Sequence, residues 1–508
     1  MKKVLYVALL GILVYASHGK ALQFTFWKDD WFYLWNELYV TRLLTPILLH
    51  PGTFIELRVF GRIFSEHPYF WQVLGLFIKI AASVSVALLT FGVTRSKKAS
   101  ALAGVFFAAS SAGLEATIWV SAHVTNILVI FLSLGTYYLF QYLRNAQPKI
   151  LIISVALFIM AIADDPIRAA PVLGLFVYVY FFLASHAIQR KLQSFLPLAG
   201  VLVFIGGICL IIARDFILNT PILRFLATNS KGVSGVVSRI HLVGQYFHSL
   251  FSLMTNWVIP PAHYVNEASH GLYNPLFARL GLLILVLIGI WCVLMWRKNR
   301  MVTRRVVFFL LWMLLFYLTN WLSEPRIIAT GNHRFLTVSN AGFVALVAYG
   351  LTGIRSTYIA ALCAAVFLFA NMTMSRHQLS ELYAYRSAQT VDAVWKQIDN
   401  ETSKNVYRKV FMLTGDEPAN TNIFVISGAT PFALLRKLSH PEDIPVVTND
   451  PAVIARMICD SNTLSLTDVY AWEIHNDGTL INQTDDVRLA VQKRMFTICP
   501  GKSYTRDK

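Results

Sequence analysis

Charge is what this sequence has least of. Only 14% of its 508 residues are Asp, Glu, Lys or Arg and 56% are hydrophobic, whereas soluble domains carry about 25% charged residues. That shortage excludes an ordinary soluble chain and points to a membrane. Cysteine is scarce too. Of five, Cys209, Cys292 and Cys363 lie in apolar runs, so no disulfide framework organises the fold. Cys459 and Cys499 fall in the polar C-terminal stretch, where they either pair in an oxidising compartment or stay free. No glycine-rich phosphate-binding pattern occurs, since Gly415 and Gly428 stand alone after strand-like runs and mark turns. Acidic residues are few as well, and the net charge is +17. Residues 1–374 hold 29 basic and 11 acidic residues, against 15 and 16 in residues 375–508. The basic excess thus belongs to the apolar part, where short loops carry positive charge for topology. Nucleic acid is excluded as a partner on that distribution.

Apolar runs are what the sequence has in abundance. A span needs about 20 mostly apolar residues. Candidates fall near 3–22, 70–93, 99–117, 123–143, 150–163, 169–186, 194–213, 277–296, 306–323, 335–353 and 357–374, about eleven in all. No small-residue cleavage site follows the first, which reads as a retained helix. With the N-terminus cytoplasmic, alternate loops carry Arg95, Lys97 and Lys98; Arg144 and Lys149; Arg190 and Lys191; Arg297 to Arg305; and Arg355, with no acidic residue among them. All eleven acidic residues of this part fall on the opposite side: Asp29, Asp30, Glu37, Glu56, Glu66, Glu115, Asp164, Asp165, Asp215, Glu267 and Glu324. Residues 241–260, with two His, a Gln and an Asn, read as an interfacial or partly buried outer helix. That keeps 214–276 as one external loop. The expected fold is mainly α: a polytopic transmembrane helical bundle over 1–374 in a plasma or inner membrane, with a small extracytoplasmic α/β domain over 375–508. In that domain Val410–Leu413, Ile423–Ile426 and Ile444–Val447 read as strands, and 431–438 and 451–458 as helices.

The first external loop, 23–69, holds the densest chemistry. Lys28-Asp29-Asp30-Trp31 stands among aromatic residues at the mouth of the first span. A carboxylate there suits a general base, since rings raise its pKa and a nearby cation lowers it. It equally suits a helix N-cap flanked by interface anchors. Adjacent residues point apart, so only one of Asp29 and Asp30 faces a reacting centre while the other caps, binds a cation or orients its neighbour. Arg58 in this loop, and Arg168, Arg326 and Arg334 later, sit on the side that topology disfavours for cations. As a set they fit a phosphate-bearing ligand. Lys79 lies well inside a span, either functional or snorkelling outward. Three further outer stretches converge in the topology: Glu115 to His123, Asp164-Asp165-Pro166-Ile167-Arg168, and Glu324-Pro325-Arg326 with His333-Arg334-Phe335-Leu336.

These stretches resemble the GT-C superfamily of integral-membrane glycosyltransferases, nearest its bacterial and protein-O-mannosyltransferase-like members. The resemblance is carried by Asp29-Asp30-Trp31, by Glu115-Ala116-x-x-Trp119-x-Ser121 and by His333-Arg334-Phe335-Leu336, over roughly residues 25–145 and 325–350. It implies a hexosyltransferase-like enzyme using a polyprenyl-phosphate-linked sugar and inverting transfer to an acceptor glycan, lipid or protein hydroxyl. It implies Asp29 or Asp30 as the base, with Arg326, His333, Arg334, Arg58 and Lys28 on the donor phosphate. Glu115, His123, Asp164, Asp165, Arg168 and Lys79 are further site candidates. A divalent cation is compatible with this chemistry, but no metal-ligand spacing requires one. The sequence departs from relatives at His123, where Arg is common, and at Arg58-Val59-Phe60, where Arg-Pro is expected. Two other function classes fit a membrane chain. A transporter or flippase places polar groups near the midplane, often with internal repeats, whereas here they cluster at the outer ends and no repeat is visible. A non-catalytic scaffold would use the external domain for binding.

Overall fold

The computed structural model describes residues 2–40, 51–180, 193, 195–200, 203, 207, 244–247, 249–250, 253–258, 279, 283, 286, 290, 299–323, 334–404, 409–417, 419–425, 427–461 and 464–499. The expected spans over 194–213 and 277–296 lie largely outside these residues, as do Asp215, Glu267 and Glu324. The chain divides into two compact units.

The first unit comprises Met1–Ala21, Leu44–Ile55 and Gln72–Glu381. Among the described residues six helices are long and apolar enough to cross a membrane: Lys3–Gln23, Pro68–Thr94, Val120–Asn145, Arg300–Trp321, Arg334–Thr352 and Thr357–Arg386. Their inward faces build one apolar core, in which Leu128, Leu132, Phe309, Trp312 and Val344 are fully buried. The outward residues are apolar as well: Tyr358, Leu362 and Phe369 on one helix, Val4 and Leu5 on another, all strongly exposed. An apolar face left uncovered on a helix suits lipid. The run 150–163 forms a helix over Pro148–Asp164, started by Pro148.

The run 99–117 is not one helix. It is helical over Lys97–Ala109, turns extended at Ser110, and resumes as a short helix over Glu115–Ile118. Gly113, at a φ of +66°, sits where an added Cβ would meet the Thr337 side chain. The freed backbone is satisfied internally: Ser111 donates its N–H to Asn371 Oδ1 (3.1 Å) and Ala112 donates its N–H to Ser110 Oγ (3.2 Å), which also accepts from Asn340 Nδ2 (3.1 Å). Irregular backbone survives at membrane depth only when buried and bonded in this way. The described part of 241–260 is helical. Leu250, Leu253, Met254 and Trp257 are buried in the same core, and Tyr317 Oη donates to Ser249 Oγ (2.6 Å).

The second unit comprises Leu22–Leu43, Glu56–Trp71 and Leu382–Lys508. Its sheet has four strands: β1 Val410–Gly415, β2 Val446–Thr448, β3 Val469–Ile474 and β4 Leu480–Asn482, in the order β2-β1-β3-β4. β1 runs parallel to β2 and β3, while β4 is antiparallel to β3. Helices Pro451–Asp460 and Thr484–Ile498 close over it around Ile454, Ile458, Val487 and Val491. Cys459 and Cys499 are bonded, with Cα atoms 6.2 Å apart. Of the run Ile423–Ile426, expected as a strand, Ile423 to Val425 instead belong to a helical turn over Thr421–Val425, and Ile426 lies outside the described residues. Its burial explains the misreading, because a short apolar run fits a buried strand and a buried helical turn alike.

Candidate active site

In the second unit the acidic pair sits on one tight turn. Phe24 and Trp27 are buried, and the Arg386 guanidinium stacks over both rings, at 4.9 and 4.0 Å from their centroids. Thr25 donates its N–H to the Arg386 carbonyl (3.0 Å), so this stretch is fixed before it reaches the acids. Lys28 then adopts a left-handed backbone, φ +52°, with Nζ 4.4 Å from the Trp27 ring centre. That conformation costs a non-glycine residue about 1–2 kcal/mol, and such strain gathers at functional sites. It lets the chain reverse so that Asp30 opens the helix Asp30–Trp35. The Asp30 carboxylate accepts the Trp27 N–H (3.0 Å), and the Asp30 N–H donates to the Trp27 carbonyl (2.9 Å). Asp30 is 2% exposed, its carboxylate turned onto its own turn. Asp29 occupies the cap position, makes no side-chain cap bond and is half-buried. The two acids therefore have different environments. Arg58, on the helix Pro51–Phe64, pairs with Glu37 at 2.5 Å.

In the first unit two carboxylates, Glu115 and Asp165, hold two guanidinium groups, and a third, Asp164, adjoins Asp165 in the chain. Glu115, Asp164 and Asp165 are 3%, 4% and 2% exposed. Glu115 Oε2 accepts both the Arg334 N–H (3.2 Å) and Arg334 Nη1 (3.4 Å). Asp165 caps the short helix Pro166–Ala169 by accepting the Arg168 N–H (3.0 Å), and also pairs with the Arg168 guanidinium. Both guanidiniums stack on Phe335, Arg168 at 3.4 Å and Arg334 at 4.6 Å from the ring centre, and Arg334 also lies 4.0 Å from the Trp119 ring. Each contact of that kind contributes about 0.5–2 kcal/mol. The aromatic plates and buried carboxylates hold two planar, permanently charged forks near one ring. That geometry suits a phosphate able to exchange with the resident carboxylates.

Two glycines that sequence reasoning missed make this packing possible. At Gly52 an added Cβ would sit 1.8 Å from Asp164 Oδ1, and at Gly75 it would sit 2.5 Å from both His123 Nε2 and the Thr117 carbonyl. His123 is fully buried against Gly75. Lys79 is equally buried, with Nζ over the Phe107 ring at 4.2 Å, and among the described residues its contacts do not include the arginine cluster. Arg326 and His333 lie outside the described residues. Of the expected site residues, the structure thus brings together Glu115, Asp165, Arg168 and Arg334. It places Lys28, Asp29 and Asp30 on one turn, and sets Arg58 on Glu37 and Lys79 on Phe107.

No family model matches the sequence, and no curated protein matches it. Among solved structures, the Archaeoglobus fulgidus oligosaccharyltransferase in its complex with Zn and sulfate aligns with a TM-score of 0.52 at 13% identity, covering 92% of this chain and 68% of that one. The chain has the GT-C fold. Two further structures align at lower scores. AglB from the same organism, in complex with an inhibitory peptide and a dolichol-phosphate, gives 0.49 at 14% identity over 93% of this chain and 70% of its own. ArnT from Cupriavidus metallidurans, bound to undecaprenyl phosphate, gives 0.48 at 12% identity over 99% and 96%.

Proposed function

We propose that this protein is a membrane glycosyltransferase. It takes a sugar from a polyprenyl-phosphate donor and transfers it, with inversion, to an acceptor hydroxyl on the non-cytoplasmic face. The observation that carries the reading is the pair of guanidiniums, Arg168 and Arg334, gathered on Phe335 by buried carboxylates. A phosphate leaving group needs cationic stabilisation at the oxygen that departs and little acid assistance. The acceptor hydroxyl gives its proton to the Asp29 carboxylate as its oxygen bonds to the anomeric carbon. The bond from that carbon to the donor phosphate breaks, and its electron pair leaves on the phosphate oxygen. Asp29 takes the base role because Asp30 is committed to the turn, its carboxylate bonded to the Trp27 N–H. In this topology about eleven spans leave the N-terminus cytoplasmic and the C-terminal domain outside, where the Cys459–Cys499 bond suits an oxidising compartment.

The test is transfer by purified protein in lipid nanodiscs, supplied with lipid extract containing radiolabelled polyprenyl-phosphate sugars. Asp29→Asn is expected to lower turnover by about 10²–10⁴, the range for removing a general base. Arg334→Ala is expected to raise the KM for the donor as well. Full turnover by Asp29→Asn would sink the assigned base. Movement of the intact lipid-linked sugar across the bilayer, with no transfer, would replace the reading by a flippase.

A further inference from the structure

Two indoles tie the acidic segment to the C-terminal tail within the second unit. Trp27 is 2% exposed, and its Nε1 donates to Asn422 Oδ1 (3.1 Å), an amide 4% exposed and 395 residues along the chain. Trp35, which ends the helix Asp30–Trp35, donates its Nε1 to the Leu438 carbonyl (2.7 Å). Both ends of the segment are thus bonded to the stretch between β1 and β2. The two ties differ in kind. A backbone carbonyl is present whatever residue stands at 438, whereas the tie to Trp27 needs an acceptor side chain at 422. Nothing in the sequence marks Asn422, which merely precedes an apolar run.

The sheet in turn fixes Asn422. β1 ends at Gly415, and the chain then runs to the helical turn Thr421–Val425. That connection is bonded to the end of β3 and the residues after it. The Asp416 N–H donates to the Ile474 carbonyl (2.8 Å), Asn476 Nδ2 donates to the Glu417 carbonyl (2.9 Å), and Asn476 Oδ1 accepts the Ala419 N–H (3.3 Å). On its other side Trp27 bonds Asp30 through its own backbone, N–H to carboxylate (3.0 Å) and carbonyl to N–H (2.9 Å). Trp27 therefore meets Asn422 with its ring and Asp30 with its main chain, so a shift of the ring shifts the turn that carries both acids. A misplacement of about 1 Å at a reacting group costs about 10²-fold in rate. We propose that Asn422 is a positioning residue for the transfer reaction, holding the acidic turn through Trp27. The tail is then a structural part of the active site and not only an appended binding domain. The proposal rests on the reading of that turn as the source of the base.

Transfer and hydrogen–deuterium exchange are measured on the full chain in nanodiscs, with the radiolabelled lipid extract as donor source. Asn422→Leu strands the buried indole donor and is expected to lower the melting temperature. Adding Trp27→Phe removes both partners, and replacing both members of a buried pair by apolar groups recovers stability. A merely structural role would recover turnover along with the melting temperature. The positioning role predicts otherwise. In the double variant kcat per folded protein stays about 10–10²-fold low, at an unchanged KM for the donor, whose phosphate is assigned to Arg168 and Arg334. Exchange over residues 24–35 is expected to stay faster than in the unmodified protein. Normal kcat in the double variant at recovered stability would overturn the proposal, as would unchanged exchange over 24–35. If the double variant does not fold, Trp27→Phe alone is read by the same two measurements. Full turnover by Asp29→Asn, with kcat low in the double variant, sinks the assigned base and leaves the anchor standing. No transfer by the unmodified protein sinks the enzyme reading itself, and exchange over 24–35 then decides whether Asn422 holds the turn.

Discussion

Asp29 and Asp30 are neighbours in different settings: Asp30 is buried and bonded to its own turn, whereas Asp29 is half-buried at the helix cap. Because Asp30 accepts the Trp27 N–H within a buried turn, Asp30→Asn is expected to destabilise the fold, by about 1–3 kcal/mol for a weakened buried charge-assisted bond. A melting curve of that variant against the unmodified protein checks this. A second residue-scale effect lies at the ends of β1 and β3, where His475 Nδ1 is 2.9 Å from Asp416 Oδ2. That bond, aided by the charges of Asp416, Glu473 and Asp477, raises the His475 pKa above its ordinary value. The pair therefore adds stability in full below the ordinary histidine value, about 6.5. The contribution fades as pH rises through the raised folded value. Histidine NMR should show a His475 midpoint above that of free imidazole side chains, and Asp416→Asn should bring it down. An unchanged midpoint in that variant would refute the assignment.

At the scale of elements, the break after Ala109 positions the Glu115–Trp119 segment, and it depends on polar side chains borrowed from other helices. Asn371 is fully buried and accepts both the Ser111 N–H (3.1 Å) and the Ser111 hydroxyl (3.2 Å). It begins an Asn-Met-Thr triplet, yet its burial in a helix leaves no access for glycosylation. Replacing it with Leu strands a buried donor, and a loss of about 1–3 kcal/mol is expected, seen as a lower melting temperature in detergent. Gly75→Ala tests the next contact. A Cβ 2.5 Å from the Thr117 carbonyl forces the helix Pro68–Thr94 away from the Glu115–Ile118 turn. The expected cost is about 1–3 kcal/mol. Transfer activity should fall with it, because Glu115 holds Arg334. Normal activity at reduced stability would show that this turn does not position the cluster.

For the whole molecule, the bond between Cys459 and Cys499 closes a segment with a sequence separation of 40. By loop entropy it contributes roughly 4 kcal/mol, so Cys459→Ser is expected to lower the melting temperature of the second unit. Protease sensitivity of residues 375–508 with and without reductant reads the same effect. Sidedness is tested separately by thiol labelling in intact cells: Glu442→Cys, on the exposed surface of the tail, should react with an impermeant maleimide. Arg355→Cys, in an expected cytoplasmic loop, should react only after permeabilisation. Reversed labelling would overturn the orientation, and with it the outer face as the site of transfer.

The membrane character of the chain was legible in composition alone, because apolar runs of span length have no soluble alternative. That the stretches 95–98, 144–149 and 297–305 carry Lys and Arg with no Asp or Glu likewise needs no coordinates, since it is a property of residue order. The GT-C resemblance rested on three short motifs, and the fold agrees with it. The sequence did not reveal that the run 99–117 breaks at Ser110, because Asn371 and Asn340, which satisfy that break, lie over 200 residues away. It did not bring Arg168 and Arg334 onto the Phe335 ring, nor require glycine at positions 52 and 75, since close approach between helices leaves no periodic signal. Nor did the order Asp29-Asp30 say that the second acid folds back onto the chain. The left-handed turn at Lys28 does that, by carrying the Asp30 carboxylate back onto the Trp27 N–H.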